Sequence, residues 1–166
     1  MDKTANTREP AVVIRPYVEA DAAATLALFL AAVTETAAAD YSPEQIQAWA
    51  RPDSRDLATW HAAMLQRTSC VATVDGEPVA FSDVSPTGYI DMLFVSPCHQ
   101  RRGVARRLLR YVEAQARGAQ AAQLTADVSI TARPFFERSG FLVEEERHPV
   151  KYGVQLTNFR MTKRIR

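Results

Sequence analysis

The chain has 166 residues, 47% of them hydrophobic, and a formal net charge of +1. This length and composition suit one domain with a single core. The net charge provides no overall electrostatic field that would attract nucleic acid or anionic lipid. Cys70 and Cys98 are too few for a disulfide framework, so a reduced, cytoplasmic setting is expected. No apolar stretch approaches ~20 residues, and a membrane-spanning helix is not expected.

The first half of the chain predicts a flexible tail, a strand, three helices and a hairpin. Residues 1–10 lack the apolar core of a signal peptide and are interpreted as the tail, ahead of a single domain over 11–166. Ser42-Pro43-Glu44-Gln45 is a capping box, and Asp75-Gly76 is a strong hairpin signal. The predicted elements are a strand over 11–16, a helix capped by Asp21, a short helix after Ser42, a helix over 57–65, and strands over 70–74 and 78–84.

The second half predicts four strands around two helices. Pro134 is tolerated because it falls in the first turn of a short helix, and Gly140 suits the left-handed cap after it. Val154 is out of phase with Phe159, so a bulge is predicted in the last strand. The predicted elements are a strand over 90–95, an amphipathic helix over 104–117, a strand over 123–127, a helix from Thr131, and strands from Phe141 and Val154. The fold class is α/β (α+β), with a central mixed, mostly antiparallel sheet of about seven strands and helices on both faces.

The segment Gln100-Arg101-Arg102-Gly103-Val104-Ala105 is the strongest functional signal. It joins an apolar run to an amphipathic one, which is typical of a strand, a basic loop and a helix N-terminus. Helix N-termini present unpaired N–H groups and the positive end of the dipole, and a glycine allows close backbone approach. The segment therefore predicts a binding site for a phosphorylated ligand. A Walker A loop and a dinucleotide fingerprint are excluded, because their lysine and further glycines are missing.

Gln100-x-x-Gly103-x-Ala105 resembles the acetyl-CoA pyrophosphate loop of the GCN5-related N-acetyltransferase (GNAT) superfamily. Residues 93–97 are similar to the family's fourth strand and its exit, and residues 129–141 to its final helix and the following Gly-Phe strand start. Residues 13–16 are similar to its first strand, so the likeness covers about 12–163. It implies an acetyltransferase domain with acetyl-CoA as cofactor.

The resemblance assigns cofactor contacts to three segments. The fourth strand is expected to diverge from the fifth and to pair with the pantetheine arm, and one of its N–H groups would polarise the thioester carbonyl. Arg101 and Arg106 are expected to contact phosphate, whereas Arg107 and Arg110 are interpreted as solvated surface. The implied cofactor-binding residues are Leu93, Phe94, Val95, Gln100, Arg101, Arg102, Gly103, Val104, Ala105, Arg106, Ser129, Phe135 and Phe136.

The catalytic candidates are Asp91 and Tyr89, which alternate along one strand face. A protonated amine cannot attack until it loses a proton, and Asp91 could accept it; a solvent-facing charge is the alternative interpretation. Tyr89 could orient the acceptor or relay through water. Phe136 stands where the resembling helix usually carries a tyrosine that protonates the leaving thiolate, so the general acid is open, with Tyr152 or water as alternatives.

These features predict an acetyl-CoA-dependent N-acetyltransferase that acts directly on a primary amine of a small molecule or peptide. The alternatives are another acyl donor, a hydroxyl acceptor, or a non-catalytic acyl-CoA sensor. Tyr41 and Tyr89 are the substrate-contact candidates. Trp49 and Trp60 could also line the acceptor pocket, although aromatic residues in such helices, Tyr41 included, are more often core. The histidines show no metal-ligand spacing, so no metal is expected. The last strand is a candidate edge for a homodimer.

Overall fold

The computed structural model describes residues 11–166, and the predicted tail over 1–10 lies outside the described residues. The helices are α1 (Ala22–Ala31), α2 (Pro43–Ala50), α3 (Leu57–Gln66), α4 (Val104–Gly118) and α5 (Arg133–Arg138). The strands are β1 (Val12–Pro16), β2 (Ser69–Val74), β3 (Glu77–Asp83), β4 (Tyr89–Ile90), β5 (Leu93–Val95), β6 (Gln123–Ser129), β7 (Leu142–Arg147), β8 (Val150–Lys151), β9 (Val154–Gln155) and β10 (Asn158–Arg164).

The described strands form two four-stranded sheets, ordered β1-β2-β3-β5 and β4-β6-β10-β7, and a separate hairpin, β8-β9. β4 pairs with β6 in parallel, and the other neighbouring strands pair antiparallel. The predicted mixed, mostly antiparallel architecture is confirmed. The described residues form more strands than the roughly seven predicted. The expected strand over 90–95 divides into β4 and β5, and residues 150–155 add a hairpin.

Local sequence signals decide several element boundaries. The Ser42 hydroxyl accepts from Gln45 N–H at 3.2 Å, and the Gln45 side chain accepts from Ser42 N–H at 2.9 Å, which is the predicted capping box at the start of α2. Asp75 and Gly76 have φ of 52° and 81°, as a tight hairpin turn between β2 and β3 requires. Gly140 ends α5 with φ of 94°.

Asp21 lies at the N-cap of α1, as predicted, but its carboxylate does not cap that helix. It accepts two hydrogen bonds from the Arg15 guanidinium, at 2.7 and 2.8 Å, and one from the Val18 N–H at 2.9 Å. The hydrogen bonds from Arg15 lower the pKa of Asp21. This ion pair ties β1 to the start of α1.

α1 runs on through further helical turns, and the whole run Glu19–Ala39 has 21 residues and contains an 18-residue window with a mean hydropathy of 1.6. By length and composition alone this run could cross a membrane, so the expectation that no apolar stretch approaches that length was wrong; alanine-rich turns extend the run. Phe29 and Val33 are 1% and 0% exposed and pack with Trp60 in a hydrophobic cluster. In this structure the buried face of the run packs in the core, and its other face is exposed.

Helices cover both faces of the first sheet, as predicted. Alternate residues of β2 point to opposite sides: Cys70 joins the cluster that contains Leu108 of α4, and Val71 joins the cluster that contains Phe29 of α1. α4 therefore packs on one face, and α1 and α3 pack on the other.

The chain after α5 differs from the predicted pair of closing strands. Val154 belongs to β9 and Phe159 to β10, so their change of phase comes from a break between two strands and not from a bulge within one. A register shift does occur where β10 meets β7: Arg160 pairs with Glu145, and Met161 pairs with Val143. The extra residue is therefore on β7.

Candidate active site

The chain leaves both sheets between β4 and β5, at Asp91 and Met92. β4 pairs with β6, whereas β5 pairs with β3, so the two halves of the predicted fourth strand belong to different sheets. The carboxylate of Asp83, 2% exposed at the end of β3, accepts from the N–H groups of Asp91 (2.8 Å) and Met92 (3.2 Å). Arg67 donates to the same carboxylate at 3.2 Å. Asp83 thereby satisfies N–H groups that the break leaves unpaired.

An open wedge lies between β5 and β6 beyond this break. β4 pairs with Thr125 and Ala126, and β6 then continues to Ser129 with β10 as its partner. Among the described strands, β5 has β3 as its only neighbour. The facing edges of β5 and β6 therefore carry backbone N–H and C=O groups without strand partners. This is the divergence that the sequence predicted.

Two left-handed residues shape the loop before α4. Arg101 has φ of 59°, and Gly103, the N-cap residue of α4, has φ of 75°. Left-handed residues in such turns direct successive N–H groups to one side and form anion-binding concavities. The N-cap makes no side-chain hydrogen bond, so the first-turn N–H groups and the positive end of the dipole are available to an anion. A Cβ built at Gly103 would meet nothing within 4 Å.

A cleft of about 1180 Å³ runs from this loop into the wedge. Arg102 does not line it, whereas Arg110, interpreted from the sequence as solvated surface, does. The Gln100 side chain donates to the Val95 carbonyl at 3.2 Å, so it holds the loop against β5. The predicted cofactor residues that line this cleft are Leu93, Phe94, Val95, Gln100, Arg101, Gly103, Val104, Ala105, Arg106, Ser129 and Phe135.

A second cavity, of about 400 Å³, opens on the other side of the wedge. Leu93, Phe94, Ser129 and Ala132 line both spaces, so the cleft and the cavity meet where β5 and β6 diverge. The Ser129 hydroxyl accepts from Ala132 N–H at 3.0 Å, which fixes the turn into α5 at this junction. We call the two spaces the loop cleft and the aromatic cavity, and their meeting point the junction.

Both catalytic candidates line the aromatic cavity. Asp91 falls in the break and not within a strand, and its side chain is 41% exposed and 3.5 Å from the Arg67 guanidinium. The Tyr89 hydroxyl donates to Asp127 at 3.2 Å. Burial, followed by the charge of Asp127, raises the pKa of Tyr89 to about 12, so this hydroxyl suits hydrogen bonding better than proton exchange near neutrality.

Asp127 is a polar cavity residue that the sequence interpretation missed. It accepts two hydrogen bonds from Arg160, at 2.7 and 3.1 Å, and lies 3.3 Å from Arg147. Burial alone would raise the pKa of Asp127, but the hydrogen bonds and charge of Arg160 leave it below its usual value. Asp127 therefore stays ionised and paired, and it anchors Tyr89.

Phe136 lines the aromatic cavity and not the loop cleft. It is 4% exposed and packs edge-on against Phe135 and Phe141, with ring centroids 5.5 and 4.9 Å apart. Tyr152, the alternative proton donor, is 70% exposed and does not line the aromatic cavity; its ring stacks on the Arg51 guanidinium instead.

The aromatic candidates for acceptor binding separate in the structure. Tyr41 and Trp49 line the aromatic cavity with their rings 5.4 Å apart. The Tyr41 hydroxyl donates to Thr157 C=O at 2.6 Å and accepts from Ile130 N–H at 3.0 Å, so it offers the ring and not a free hydroxyl. Trp60 lies outside the cavity in the core and donates to Thr25.

The histidines have other surroundings. His61 shares a hydrogen bond with the Tyr17 hydroxyl at 2.9 Å, and His148 lies 3.2 Å from the Thr157 hydroxyl. His99 lines the loop cleft, and its Nδ1 is buried without a hydrogen-bond partner in the part of the chain that is described. Within residues 11–166, no group of three or more potential ligands could hold a metal ion.

The remaining polar side chains of the aromatic cavity carry no sequence motif. Arg55 lies just before α3, Lys151 ends β8, and Asn158 begins β10, so they meet only in the folded chain. The Asn158 Oδ1 atom is buried and accepts no hydrogen bond from any described residue.

Two spaces that meet between diverging strands, one of them headed by an uncapped helix N-terminus, define the architecture of an acyltransferase that uses a phosphate-bearing donor. A family model described as the acetyltransferase (GNAT) domain matches residues 37–163. The uncharacterized N-acetyltransferase YafP of Escherichia coli K12 is 40% identical over 149 residues, which cover 89% of this chain and 93% of that protein. The chain therefore belongs to the GNAT acetyltransferase family, and the prediction of an N-acetyltransferase is confirmed.

Solved structures agree with this assignment. A GCN5-related N-acetyltransferase from Rhodopseudomonas palustris, also described as a class-II aminotransferase, has a TM-score of 0.88 at 35% identity, over 95% of this chain and 97% of that one. The PaiA N-acetyltransferase from Thermoplasma acidophilum, solved with coenzyme A, has a TM-score of 0.75 at 17% identity, over 93% of this chain and 99% of that one. At that identity the second likeness supports the fold alone.

Proposed function

We propose that this protein transfers an acetyl group from acetyl-CoA to a primary amine of a small molecule or peptide, with the donor in the loop cleft and the acceptor in the aromatic cavity. The observation that carries this proposal is the junction, where both spaces meet at the unpaired edges of β5 and β6. A donor entering along α4 and an acceptor entering over α1 and α2 would bring their reacting atoms together there.

The loop cleft suits acetyl-CoA in shape and charge. Its phosphate end has the free N–H groups of the first turn of α4, the space in front of Gly103, and the guanidinium groups of Arg101 and Arg106. Arg110 adds a further cation. Towards the junction, the cleft is lined by strand edges that could pair with an amide-bearing arm, and the Nδ1 atom of His99, which has no partner among the described residues, offers one more polar contact.

At the junction, the protein's tasks are to orient both reactants and to receive a proton. Acetyl-CoA supplies a thioester, whose carbonyl carbon bonds to the amine nitrogen as the C–S bond breaks and the electron pair leaves on sulfur. A backbone N–H on the free edge of β5 would donate to the carbonyl oxygen as negative charge develops there. Asp91 would accept the proton of the amine, directly or through a water molecule, and Tyr89 would orient the nitrogen.

Departure of the thiolate does not require a tyrosine at the position of Phe136. A thiol has a pKa near ~8.5, so its thiolate is a moderate leaving group, and general acids typically supply only ~10² to 10⁴ in rate. The closely packed Phe136 ring instead walls the cavity beside the junction. Water is the simplest proton donor to sulfur.

Calorimetry with acetyl-CoA, followed by thiol release with a panel of amines, tests this proposal. Saturable binding and amine-dependent release of free CoA are expected. Binding without release above background would favour the sensor alternative, and release with longer acyl donors or with alcohols would change the donor or acceptor class. No affinity for acetyl-CoA at millimolar concentration would overturn the proposal. One domain over 11–166, a cytoplasmic location, the lack of nucleic-acid and membrane partners, and a homodimer stay predictions.

A further inference from the structure

Arg55 places a guanidinium group in the wall of the aromatic cavity without a carboxylate partner among the described residues. Its Nε donates to Ala50 C=O and its Nη2 to Trp49 C=O, both at 2.9 Å. The group also lies over the Phe29 ring, 4.7 Å from the centroid. These contacts fix the guanidinium at the end of α2 against the wall of the cavity.

The contacts at the end of α2 do not account for the whole of this charge. Two neutral carbonyl groups accept from Nε and Nη2, and no described residue accepts from Nη1. Burial, followed by the nearby charge of Arg51, lowers the pKa of Arg55. A partly buried cation without an anion is costly, and a bound anion would offset that cost. Lys151 lines the same cavity and adds positive charge.

The aromatic cavity also contains groups that accept protons or hydrogen bonds, among them Asp91 in the break between β4 and β5. Asp91 is exposed in the cavity wall, and the buried Asn158 Oδ1 lacks a donor. The aromatic cavity therefore carries both kinds of group: Asp91 and the Asn158 Oδ1 atom accept protons or hydrogen bonds, and Arg55 and Lys151 donate them. Arg55 lies near the junction, because the Phe29 ring under its guanidinium packs against the ring of Phe94, a junction residue, with the centroids 5.2 Å apart.

We propose that the acceptor is an amine that also carries a carboxylate, and that Arg55 binds this carboxylate while the amine faces Asp91 at the junction. The cavity walls also include the rings of Tyr41, Trp49 and Phe136, which favour an apolar or aromatic body. An aromatic amino acid or a short peptide with such a residue has this chemistry. A polyamine does not, since its second cation would lie beside Arg55 and Lys151. This inference rests on the proposed function, because it names the acceptor class for the same site.

A binding experiment tests the carboxylate site without catalysis. 3-Phenylpropionate and its carboxamide have the same ring and chain and differ in the anion, and each is titrated by calorimetry into protein saturated with CoA. We expect the acid to bind roughly tenfold or more tightly than the amide, and Arg55→Gln to remove that preference, because a hydrogen bond between two charged groups is stronger than one to a neutral amide. Arg51→Gln is the matched control, because the Arg51 side chain stacks on Tyr152 and does not line the cavity.

The control variant is expected to change the affinity for the acid by less than about threefold, as a screened surface charge does. Equal affinity of the parent protein for acid and amide, or an unchanged preference in Arg55→Gln, would overturn the inference. Both variants are compared only as folded protein, with a far-UV circular dichroism spectrum, a denaturation midpoint and a CoA affinity close to those of the parent. If Arg55→Gln does not fold, Arg55→Lys replaces it: a single ammonium keeps the charge but loses the fixed fork, and a partial loss of preference is expected.

A kinetic arm connects the site to turnover. Phenylalanine and phenylalaninamide are compared as acceptors, and the ratio of their kcat/KM values is measured in the parent and in Arg55→Gln. The two amines differ in basicity, but this difference affects both proteins equally, so it cancels when the acid-to-amide ratio of the variant is compared with that of the parent. We expect the acid-to-amide ratio of kcat/KM to be lower in Arg55→Gln than in the parent by roughly tenfold or more, mainly because the KM for the acid rises. An acid-to-amide ratio that is unchanged in Arg55→Gln would overturn the inference and leave the proposed function standing, whereas failure to bind acetyl-CoA would overturn the proposed function first.

Discussion

Replacing Gly103 with alanine would separate the conformation of the phosphate loop from its contact with a ligand. Gly103 has φ of 75° and Gly76, in the β2–β3 turn, has φ of 81°, and a Cβ at either position would meet nothing within 4 Å. A left-handed conformation costs an L-residue roughly 1–2 kcal/mol. Both alanine variants are therefore expected to lose about 1 kcal/mol of unfolding free energy, without a steric clash in the protein.

The two variants are expected to differ in their affinity for acetyl-CoA. At Gly103 the new methyl group enters the space in front of the α4 N-terminus, where a phosphate would approach the N–H groups. We expect the Kd for acetyl-CoA to rise at least about tenfold, or about 1.4 kcal/mol, and to rise further in Gly103→Val, because branched residues tolerate positive φ poorly. Gly76→Ala should bind as the parent does. Calorimetry gives the affinities and urea denaturation gives the stabilities. Equal affinity in the two alanine variants at equal stability would refute the loop assignment.

Three further predictions concern titratable side chains. Asp91→Asn should lower kcat/KM by about 10²-fold or more, most strongly below neutral pH; an unchanged pH–rate profile would exclude Asp91 as the base. Burial raises the pKa of Asp83 from 3.8 to about 6, so its ionisation costs about 3 kcal/mol of stability above pH 6, and this cost disappears towards pH 4. Asp83→Asn should therefore remove a stability gain of that size on acidification, and parallel denaturation curves for both proteins between pH 7.5 and 4 would contradict this. Burial raises the pKa of Cys70 to about 12, and Cys98 is exposed, so iodoacetamide should label Cys98 alone in the folded protein, as mass spectrometry of peptides would show.

The parts of the fold that the sequence predicted depend on neighbouring residues. The capping box at Ser42, the turn at Asp75-Gly76 and the left-handed cap at Gly140 each need only a few adjacent side chains, and each is present in the structure. The loop at Gly103 belongs to the same class, because its glycine and the helix after it are contiguous. Contiguous residues are thus sufficient to predict one end of the candidate site.

The aromatic cavity could not be predicted in the same way. Arg55, Asp91 and Lys151 come from the α2–α3 connection, the β4–β5 break and the β8–β9 hairpin, and no spacing in the sequence connects them. Nothing in the sequence distinguishes Arg55 from the other arginines, although its guanidinium lies on the Phe29 ring. Arg110 likewise fitted the polar face of a helix, and its position in the loop cleft depends on where the C-terminal strands pack.

The fourth strand was predicted as continuous but is broken in the structure, and Asp83 explains the break. The apolar pattern from Ile90 to Val95 favours one strand, and a continuous strand would extend the pairing between the two sheets and close the wedge. The Asp83 carboxylate, 2% exposed, instead takes up the N–H groups of Asp91 and Met92, which a continuous strand would offer to a neighbour. The desolvation of that carboxylate opposes the arrangement, and the hydrogen bonds to it compensate in part. The same contact keeps the wedge between β5 and β6 open and places Asp91 in the wall of the aromatic cavity. In the proposed function, one buried acid thus couples the fold to the chemistry of the junction.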